Sequence, residues 1–468
     1  MDKAVPTLPI PEAPRALPLL GHIVPLVRDP LRFVSSLPRY GDLVRVRLGP
    51  VSAVIVCDPL LTRDVLVDTR TFDKGGPFYR RVREGIGGGL LTCPHAAHQR
   101  QRRLIQPVFH PDRLPGYAAA ITARTDAMTR GWRDGQEVDV VAGMTGLTAG
   151  SLATAMFSGM LSPVEQRHII EDTLTFAAGV YRRMLMPDWL ARLPVLGNRR
   201  YAQACARLRR TFAEGTARYA RDSGEEASGS LASAVLDAYA QAGPPGDGTD
   251  AESEITDNLM TLFLGGVAIS AATLAWALHL LDQNPEVAAR LHREVDTVLD
   301  GRPAAHADLP RLELTGRVIS ETLRVWSPSW MMMRHVTRDT ELGGHHLPRG
   351  TSVIYSSYLL HRRGDLFPRP DRFDPDRWLS EPPRHAYIPF GGGARKCIGY
   401  GYGLNDTILA LATITSRWHL ASPAGQKITP SLGGELHPRG LTMRAGARSV
   451  PIAPPGPGGT DSPIGGSV

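Results

Sequence analysis

One short segment near the end of the sequence combines glycines, two cations and a thiol. Residues 390–401 read FGGGARKCIGYG, so Arg395 and Lys396 precede Cys397 and a helical pattern starts directly after it. A cysteine is most often a small buried hydrophobe, so a chemical role has to account for these neighbours. Backbone N–H groups and the positive end of a helix dipole favour a thiolate. Glycines let the backbone approach a large flat group closely.

These features predict a cysteine thiolate that ligates the iron of a haem. Haem iron accepts an axial cysteine, and the propionates of the haem edge are suitable partners for Arg395. Two alternatives stay open on these residues. One is a structural cysteine in a colourless protein, and the other is a haem-binding sensor or carrier without turnover.

The segment also resembles the cysteine-ligand loop of the cytochrome P-450 monooxygenases. The fixed positions of that loop are matched by Phe390, Gly391, Gly393, Arg395, Cys397 and Gly399. The resemblance implies that these residues bind haem b (iron protoporphyrin IX) and that Cys397 is the axial ligand. It extends over nearly the whole chain and is closest to soluble bacterial members, in particular actinobacterial terpenoid oxidases.

Two further motifs are similar to the family's buried charge network. The segment ETLR contains Glu321 and Arg324 at the spacing of the E-x-x-R motif, and Arg377 lies in FDPDRW. The resemblance implies that the three side chains form one structural network. Taken alone, Glu321 and Arg324 could be an ordinary surface pair at i,i+3.

Other basic residues are predicted to hold the propionates. The segment HAAHQRQRRLIQPVF resembles the family's helix that crosses the haem face. His98 and Arg102 within it are spaced i,i+4 and therefore share one helical face. Arg334 follows the E-x-x-R helix, as the family's arginine does. With Arg395 they provide four donors for two carboxylates, and such charge-assisted bonds are strong.

The most apolar segment, residues 259–281, is long enough to span a membrane. Asp257 and Asp282 flank it without an adjacent lysine or arginine to orient it. A helix that is apolar all round is also typical of a protein core. We therefore predict a buried central helix, and the resemblance places it over the oxygen-binding face of the haem.

This helix departs from the family pattern where oxygen is bound. The family reads Ala/Gly-Gly-x-Asp/Glu-Thr-Thr, whereas residues 265–270 read GGVAIS. Gly265 and Gly266 keep the thin, kinked backbone, but Ala268 replaces the acid and Ile269 replaces the hydroxyl. Gly266 and Ser270 are therefore expected to be catalytic, with protons relayed by a substrate hydroxyl or by water on Ser270. The alternatives are a rearrangement or dehydration that needs no relay, and a slow hydroxylase.

The expected substrate is an apolar secondary metabolite, and no anchoring charge is evident. A terpenoid is favoured, and a macrolide or other polyketide stays open. The residues expected to line its pocket are Leu90, Leu91, Val267, Ala268, Ile269, Trp330, Met331 and Met332. The plain alternative is that the methionines only fill core space.

Composition limits the class of protein. The chain is 42% hydrophobic and 21% charged, as in ordinary globular proteins. Its four cysteines are far apart, which argues against a disulfide framework or a zinc site and favours the cytoplasm. The formal charge of +7 indicates a solvated arginine-rich surface or a patch for an acidic partner. The N-terminus resembles neither a signal peptide nor a membrane anchor, and no nucleic-acid-binding motif is present.

The predicted fold is mainly α with small β sheets. Strands are expected at residues 44–56, as a hairpin, and again at 336–356. Residues 1–17 should be an extended proline-rich arm, 18–450 a single domain and 451–468 a disordered tail. Because nothing resembles a flavin or iron–sulfur domain, electrons should come from ferredoxin and ferredoxin reductase. Arg100, Arg103 and Lys396 are expected on the docking face of a monomeric enzyme.

Overall fold

The computed structural model describes residues 8–448, apart from residues 50, 159–160, 185, 187–189, 192, 194, 222–228, 244–247, 249 and 433–434. The predicted tail at 451–468 and the first seven residues of the predicted arm lie outside the described residues. The described part of the arm is attached to the fold. Arg45 donates its N–H to Pro11 O at 2.8 Å, and Ala13 donates to Arg45 O at 2.9 Å.

Helices make up most of the described chain. In chain order they are α1 Ile23–Arg28, α2 Pro30–Ser36, α3 Pro59–Val67, α4 Gly76–Ile86, α5 His95–Ile105, α6 Leu114–Arg130, α7 Val140–Phe157, α8 Pro163–Met184, α9 Leu196–Arg221, α10 Leu231–Ala242, α11 Ala251–Gln283, α12 Pro285–Leu299, α13 Glu313–Val325, α14 Ser357–His361 and α15 Tyr400–Arg417. Short 3₁₀ helices cover Leu37–Arg39, Gln106–Phe109, Pro111–Arg113, His306–Arg311, Pro375–Leu379 and Gly393–Arg395.

The strands form four small sheets. They are β1 Leu43–Leu48, β2 Val51–Val56, β3 Phe72–Asp73, β4 Glu137–Asp139, β5 Met332–Val336, β6 Thr340–Leu342, β7 His345–Leu347, β8 Ser352–Tyr355, β9 Trp418–Ala421, β10 Thr429–Leu432, β11 Leu436–Arg439 and β12 Thr442–Ala447. The largest sheet has the order β1-β2-β8-β5-β3, and the others pair β4-β12-β9, β10-β11 and β6-β7. The predicted hairpin is confirmed, with Leu48 opposite Val51. The mainly α fold with small sheets is also confirmed.

Helix α11 is the central element of the core. Asp250 caps its start by accepting from the N–H groups of Glu252 and Ser253. Its first half packs in one apolar cluster with α7, α9 and α10, and its second half packs in another with α12, α13 and α15. By length and composition α7 and α11 could each cross a membrane, yet 72% of the apolar window of each is buried inside the protein. The prediction of a buried central helix is therefore confirmed.

Candidate active site

A cavity of about 340 Å³ lies between α11 and the loop that carries Cys397. Its volume falls within the range of sites that enclose small molecules or cofactors. Cys397 is exposed at this cavity, whereas Cys57, Cys93 and Cys205 are buried elsewhere. Of the four cysteines, Cys397 alone can therefore present its sulfur to a bound group.

The loop around Cys397 is held in a shape that requires glycine. Cys397 donates its N–H to Phe390 O at 2.9 Å, and Lys396 donates to Gly393 O at 3.1 Å. Gly391 and Gly393 have φ values of +68° and +62°, in the left-handed region. A Cβ added at Gly393 would lie 2.1 Å from the carbonyl oxygen of Leu66 on α3. A side chain at position 393 would consequently displace the loop from α3.

Desolvation by the protein around the cavity outweighs the groups expected to favour a thiolate. It raises the pKa of the Cys397 thiol above the ordinary value, while the N–H of Gly399 and the nearby Arg102 and Lys74 lower it. The sequence-based expectation named only the favourable groups, so it overstated their effect. A metal ion held by Cys397 would supply the missing driving force, because coordination requires and stabilises the thiolate.

Two buried cations at the cavity have no carboxylate partner among the described residues. The side chain of Arg334 is 2% exposed, donates to Met333 O at 2.9 Å and leaves its Nε without a partner. Lys74, 7% exposed, lies with its ammonium 5.7 Å from the centre of the Tyr79 ring. Buried charges are costly unless they are paired. An anion that enters the cavity at Arg334 and Lys74 would therefore be bound strongly.

Lys74 is absent from the site residues predicted from sequence. The available signal was its rarity, since only four lysines occur in this arginine-rich chain. It also immediately precedes Gly75 and Gly76, at the start of α4. Its burial and its proximity to Arg334 and Arg395 hold the pKa of its ammonium well below the usual range.

Arg395 requires a correction to the sequence-based expectation. Its Nη2 donates to Asp73 at 2.7 Å and its Nη1 donates to Cys93 O at 2.9 Å. Only its buried Nε lacks a partner. Asp73, which no sequence pattern identified, therefore already pairs with the guanidinium that was expected to bind a propionate.

His98 and Arg102 line the same cavity from α5. Burial, together with the cations Arg395 and Lys74, lowers the pKa of His98 to about 3, so its imidazole is neutral at pH 7. Arg102 donates to Lys396 O at 2.7 Å and so joins α5 to the cysteine loop. Its remaining N–H groups stay available to an anion. The unpaired donors around the cavity thus fit a flat group with two carboxylates at its edge.

A fully buried ion pair joins segments that precede the cysteine loop in the chain. Arg324 donates from Nε and Nη2 to both oxygens of Glu321, at 2.9 and 2.8 Å, and both side chains are 0% exposed. Its remaining N–H groups donate to carbonyl oxygens of His361, Pro370 and Arg372. These bonds join α13 to α14 and to the segment that leads into the 3₁₀ helix Pro375–Leu379.

Arg377 contributes less to this network than expected. Its Nε lies 3.6 Å from Glu321 Oε1, beyond hydrogen-bond distance, and has no hydrogen-bond partner. Two donors that the sequence patterns did not single out bind Glu321 more closely. Trp378 donates from Nε1 and Asp374 from its backbone N–H, both at 3.0 Å.

Positions 268 and 269 in the wall formed by α11 carry neither an acid nor a threonine, although Thr261 lines the cavity nearer the start of the helix. Helix α11 is unbroken from Ala251 to Gln283. An added Cβ at Gly266 would lie 2.9 Å from Leu152 Cδ2 on α7, whereas one at Gly265 would meet nothing within 4 Å. Ala268 and Ile269 line the cavity. Ser270 also lines it, and its Oγ lies 4.0 Å from the position of a Cβ added at Gly403 on α15.

Residues 11–446 match the family profile described as Cytochrome P450. The chain belongs to the cytochrome P450 family. Cytochromes P450 hold protoporphyrin IX haem through a cysteine thiolate on its iron, need O₂ and a redox partner, and incorporate oxygen into their substrates. This protein is accordingly an oxygen-incorporating oxidoreductase with haem as its cofactor.

Three relatives from Streptomyces are similar over most of their length. Cyclooctatin synthase of Streptomyces melanosporofaciens is 43% identical over 89% of this chain and 91% of its own. Pentalenene oxygenase of Streptomyces avermitilis is 39% identical over 93% of this chain and 97% of its own. Cyclooctat-9-en-7-ol 5-monooxygenase of Streptomyces melanosporofaciens is 42% identical over 88% and 90%.

Not all residues predicted to line the cavity of this cytochrome P450 do so. Leu90, Leu91, Ala268, Ile269 and Met332 line it. Val267, Trp330 and Met331 do not, and these three predictions are wrong. Val267 is fully buried toward α7, with Thr148 donating to its carbonyl oxygen at 3.2 Å, while Trp330 and Met331 pack against the largest sheet.

Further apolar lining residues come from helices that the sequence did not connect to the site. They are Phe78, Val82 and Ile86 of α4, Phe176, Ala177 and Val180 of α8, and Leu152 of α7. Periodicity cannot distinguish a face packed on a core from a face that borders a cavity.

The Lys74→Met variant tests the propionate assignment through two effects of opposite sign. Without haem the variant should unfold at a higher urea concentration, because a buried amino group without a carboxylate partner has been removed. With haem it should release the cofactor about tenfold faster, because a charge-assisted bond has been lost. Urea unfolding of the apoprotein and haem transfer to apomyoglobin measure the two effects. The exposed Lys427 provides the control Lys427→Met, which should change neither.

His361 makes the stability of the fold pH-dependent. Its Nε2 accepts the N–H of Ile388 at 2.9 Å, and burial, with Arg324 nearby, lowers the pKa of the imidazole to about 3 from 6.5. The unfolded chain therefore binds more protons below pH 6.5, and stability falls as the pH falls. Between pH 6.5 and 5 this residue should account for about 2 kcal/mol of lost stability.

The His361→Gln variant isolates this contribution, since an amide oxygen can still accept from Ile388 but does not titrate. Urea unfolding at pH 7 and pH 5 should show a smaller loss of stability for the variant than for the wild-type protein. Equal losses for the two proteins would contradict the assignment to His361.

Proposed function

We propose that this cytochrome P450 hydroxylates or otherwise oxidises an apolar terpenoid of secondary metabolism. The observation that carries the proposal is the apolar cavity beside Cys397, lined by aliphatic and aromatic side chains of α4, α8 and α11. Two similar proteins are named for oxidation of pentalenene and of cyclooctat-9-en-7-ol. A macrolide or other polyketide is the alternative substrate class.

The proposal assigns roles to the cysteine loop, to the basic side chains at the cavity and to the buried charge network. Cys397 ligates the haem iron, and the loop residues Phe390, Gly391, Gly393 and Gly399 hold the cysteine in place. The side chains of Lys74, His98, Arg102 and Arg334, with Nε of Arg395, bind the propionates. Glu321, Arg324 and Arg377 stabilise the segments that lead to the loop, and haem, when bound, supplies the activation of O₂.

The overall hydroxylation consumes a substrate C–H bond, O₂, two electrons and two protons, and yields an alcohol and water. Gly266 allows α11 to lie close against α7, and the bare surface of Gly265 leaves room beside the cavity. Ala268 and Ile269 cannot carry protons, so the relay passes through water held by Ser270 or through the substrate. General acid–base help is worth about 10²–10⁴-fold, so loss of this relay should lower the rate by up to that factor.

The electrons come from a ferredoxin and its reductase, which dock on the face of the cysteine loop. Arg103 and Lys396 are exposed and would provide positive charge for an acidic partner. Arg100 is a weaker part of this surface, because its guanidinium binds both oxygens of the buried Glu254, at 2.9 and 2.6 Å. The enzyme acts as a cytoplasmic monomer, with residues 18–450 as its domain.

Reconstitution with ferredoxin, ferredoxin reductase, NADPH and ¹⁸O₂ tests the proposal. Terpene hydrocarbons and terpenoid alcohols should give products that carry one ¹⁸O atom, and charge reversal in Arg103→Glu should raise the KM for ferredoxin. Product that forms without electrons or O₂ would instead favour a rearrangement or dehydration, for which the apolar Ala268 and Ile269 are suited. Turnover of macrolides but not of terpenoids would overturn the substrate class.

A further inference from the structure

A single carboxyl group lies in the wall of the cavity. Glu435 is in the turn between β10 and β11, and of the described residues that line the cavity it alone carries a carboxyl. It is not among the site residues predicted from sequence. No anchoring charge was evident in the sequence, and Glu435 is a candidate for one.

The backbone beside Glu435 is fixed to two other elements of the site. Leu436 donates its N–H to Pro328 O at 3.0 Å, in the loop that follows α13. The carbonyl oxygen of Leu436 accepts from Trp276 Nε1 on α11 at 2.9 Å. Because the neighbouring residue is held on both sides, Glu435 is positioned at the cavity by the core.

No other described side chain forms an ion pair or hydrogen bond with the carboxyl of Glu435. Burial raises its pKa to about 7, and no cation acts on it. The cluster of Lys74, Arg334 and Arg395 therefore lies too far away to pair with it. Glu435 is only partly exposed, and among the described residues its own backbone N–H is the one group that donates to its carboxyl. A poorly solvated carboxyl is costly unless further donors complete it, so this one at the wall of an apolar cavity points to a ligand that donates to it.

We infer that Glu435 binds a hydroxyl group of the substrate and that the preferred substrate is a terpenoid alcohol rather than the parent hydrocarbon. This inference rests on the proposed terpenoid oxidation. A hydroxyl donates to the carboxyl oxygen, while the carbon skeleton packs on Phe78, Ile86 and Val180. Such a substrate comes from a reaction that has already introduced oxygen, either a cyclisation that ends with the addition of water or an earlier hydroxylation.

Optical titration of the ferric holoenzyme with matched pairs of a terpene hydrocarbon and its alcohol tests the inference. The spin-state shift should give an alcohol affinity at least about tenfold higher than that of the hydrocarbon. Glu435→Leu should remove this preference, and Glu435→Gln should retain most of it because an amide still forms hydrogen bonds. Thr173→Val is the matched control. Thr173 also lines the cavity, but its hydroxyl already donates to Ile169 O at 2.6 Å.

The outcomes separate this inference from the proposed function. Equal affinity for the two members of a pair, or a preference that survives Glu435→Leu, overturns the role of Glu435 even where terpenoids are turned over. Absence of product from terpenoids of either kind overturns the proposed function. Haem content verifies the fold of each variant. Where Glu435→Leu does not fold, the affinities of the wild-type protein and of Glu435→Gln for the alcohol and the hydrocarbon test the role of Glu435.

Discussion

Replacement of Cys397 by serine should abolish oxidation of any substrate and change the optical spectrum. The variant keeps the cavity and the cations Lys74 and Arg334 but loses the sulfur that faces the cavity. Changes to groups that merely support a metal ligand cost about 10–100-fold, so loss of the ligand itself should cost more than about 100-fold in kcat. The spectrum of the ferrous carbon monoxide complex should lose the red-shifted Soret band of thiolate-ligated haem.

A second cysteine provides the control for this result. Cys205 is buried, and burial raises the pKa of its thiol to about 11, with its hydrogen bond to Tyr201 as a smaller, opposing effect. Cys205→Ser should keep both the Soret band and turnover. An unchanged spectrum in Cys397→Ser, or a lost band in Cys205→Ser, would contradict the assignment of the iron ligand.

Replacement of Glu321 by alanine should have the largest effect on stability. It leaves Arg324 charged and 0% exposed, and it removes the acceptor of Trp378 Nε1. Loss of one partner of a buried ion pair costs about 3–5 kcal/mol, a large fraction of the 5–15 kcal/mol that stabilises a typical domain. We expect a much lower urea midpoint, measured by circular dichroism, and little haem retained after purification.

An exposed ion pair gives the comparison for this variant. Arg290 and Asp376 lie 2.7 Å apart, with 38% and 39% of their side chains exposed. Asp376→Asn should cost no more than about 1 kcal/mol, because water screens such pairs. Similar losses in Glu321→Ala and Asp376→Asn would contradict a special role for the buried pair. The double variant Glu321→Met with Arg324→Met should recover part of the stability, since both charges are removed.

Sequence patterns within short segments were sufficient to predict the fold class and the cysteine ligand. The glycines around Cys397, the spacing of Glu321 and Arg324 and the apolar length of α11 each depend on neighbours in the chain. Their consequences are local: a left-handed turn at Gly393, an i,i+3 pair and a core helix. Such features can be read from sequence because the interacting residues follow one another closely.

Polar partners distant in sequence could not be read in this way. Arg395 was expected to bind a propionate, but it forms an ion pair with Asp73, which lies more than 300 residues earlier in the chain. Lys74 and Glu435 carry no motif, and their chemistry arises only because the fold buries them at the cavity. The errors at Val267 and Trp330 have the same origin, since an apolar side chain can face the cavity or the adjacent core with equal ease.

The sequence by itself determined the family, the haem-thiolate chemistry and the mainly α architecture, because these depend on residue types at fixed short spacings. The tertiary structure alone decided which cations lack a partner, which helices border the cavity and where the carboxyl of Glu435 lies. Those properties depend on burial and on distances between segments far apart in the chain. Burial changes the free energy of a charged group by several kcal/mol, and that change turns an ordinary lysine or glutamate into a binding group.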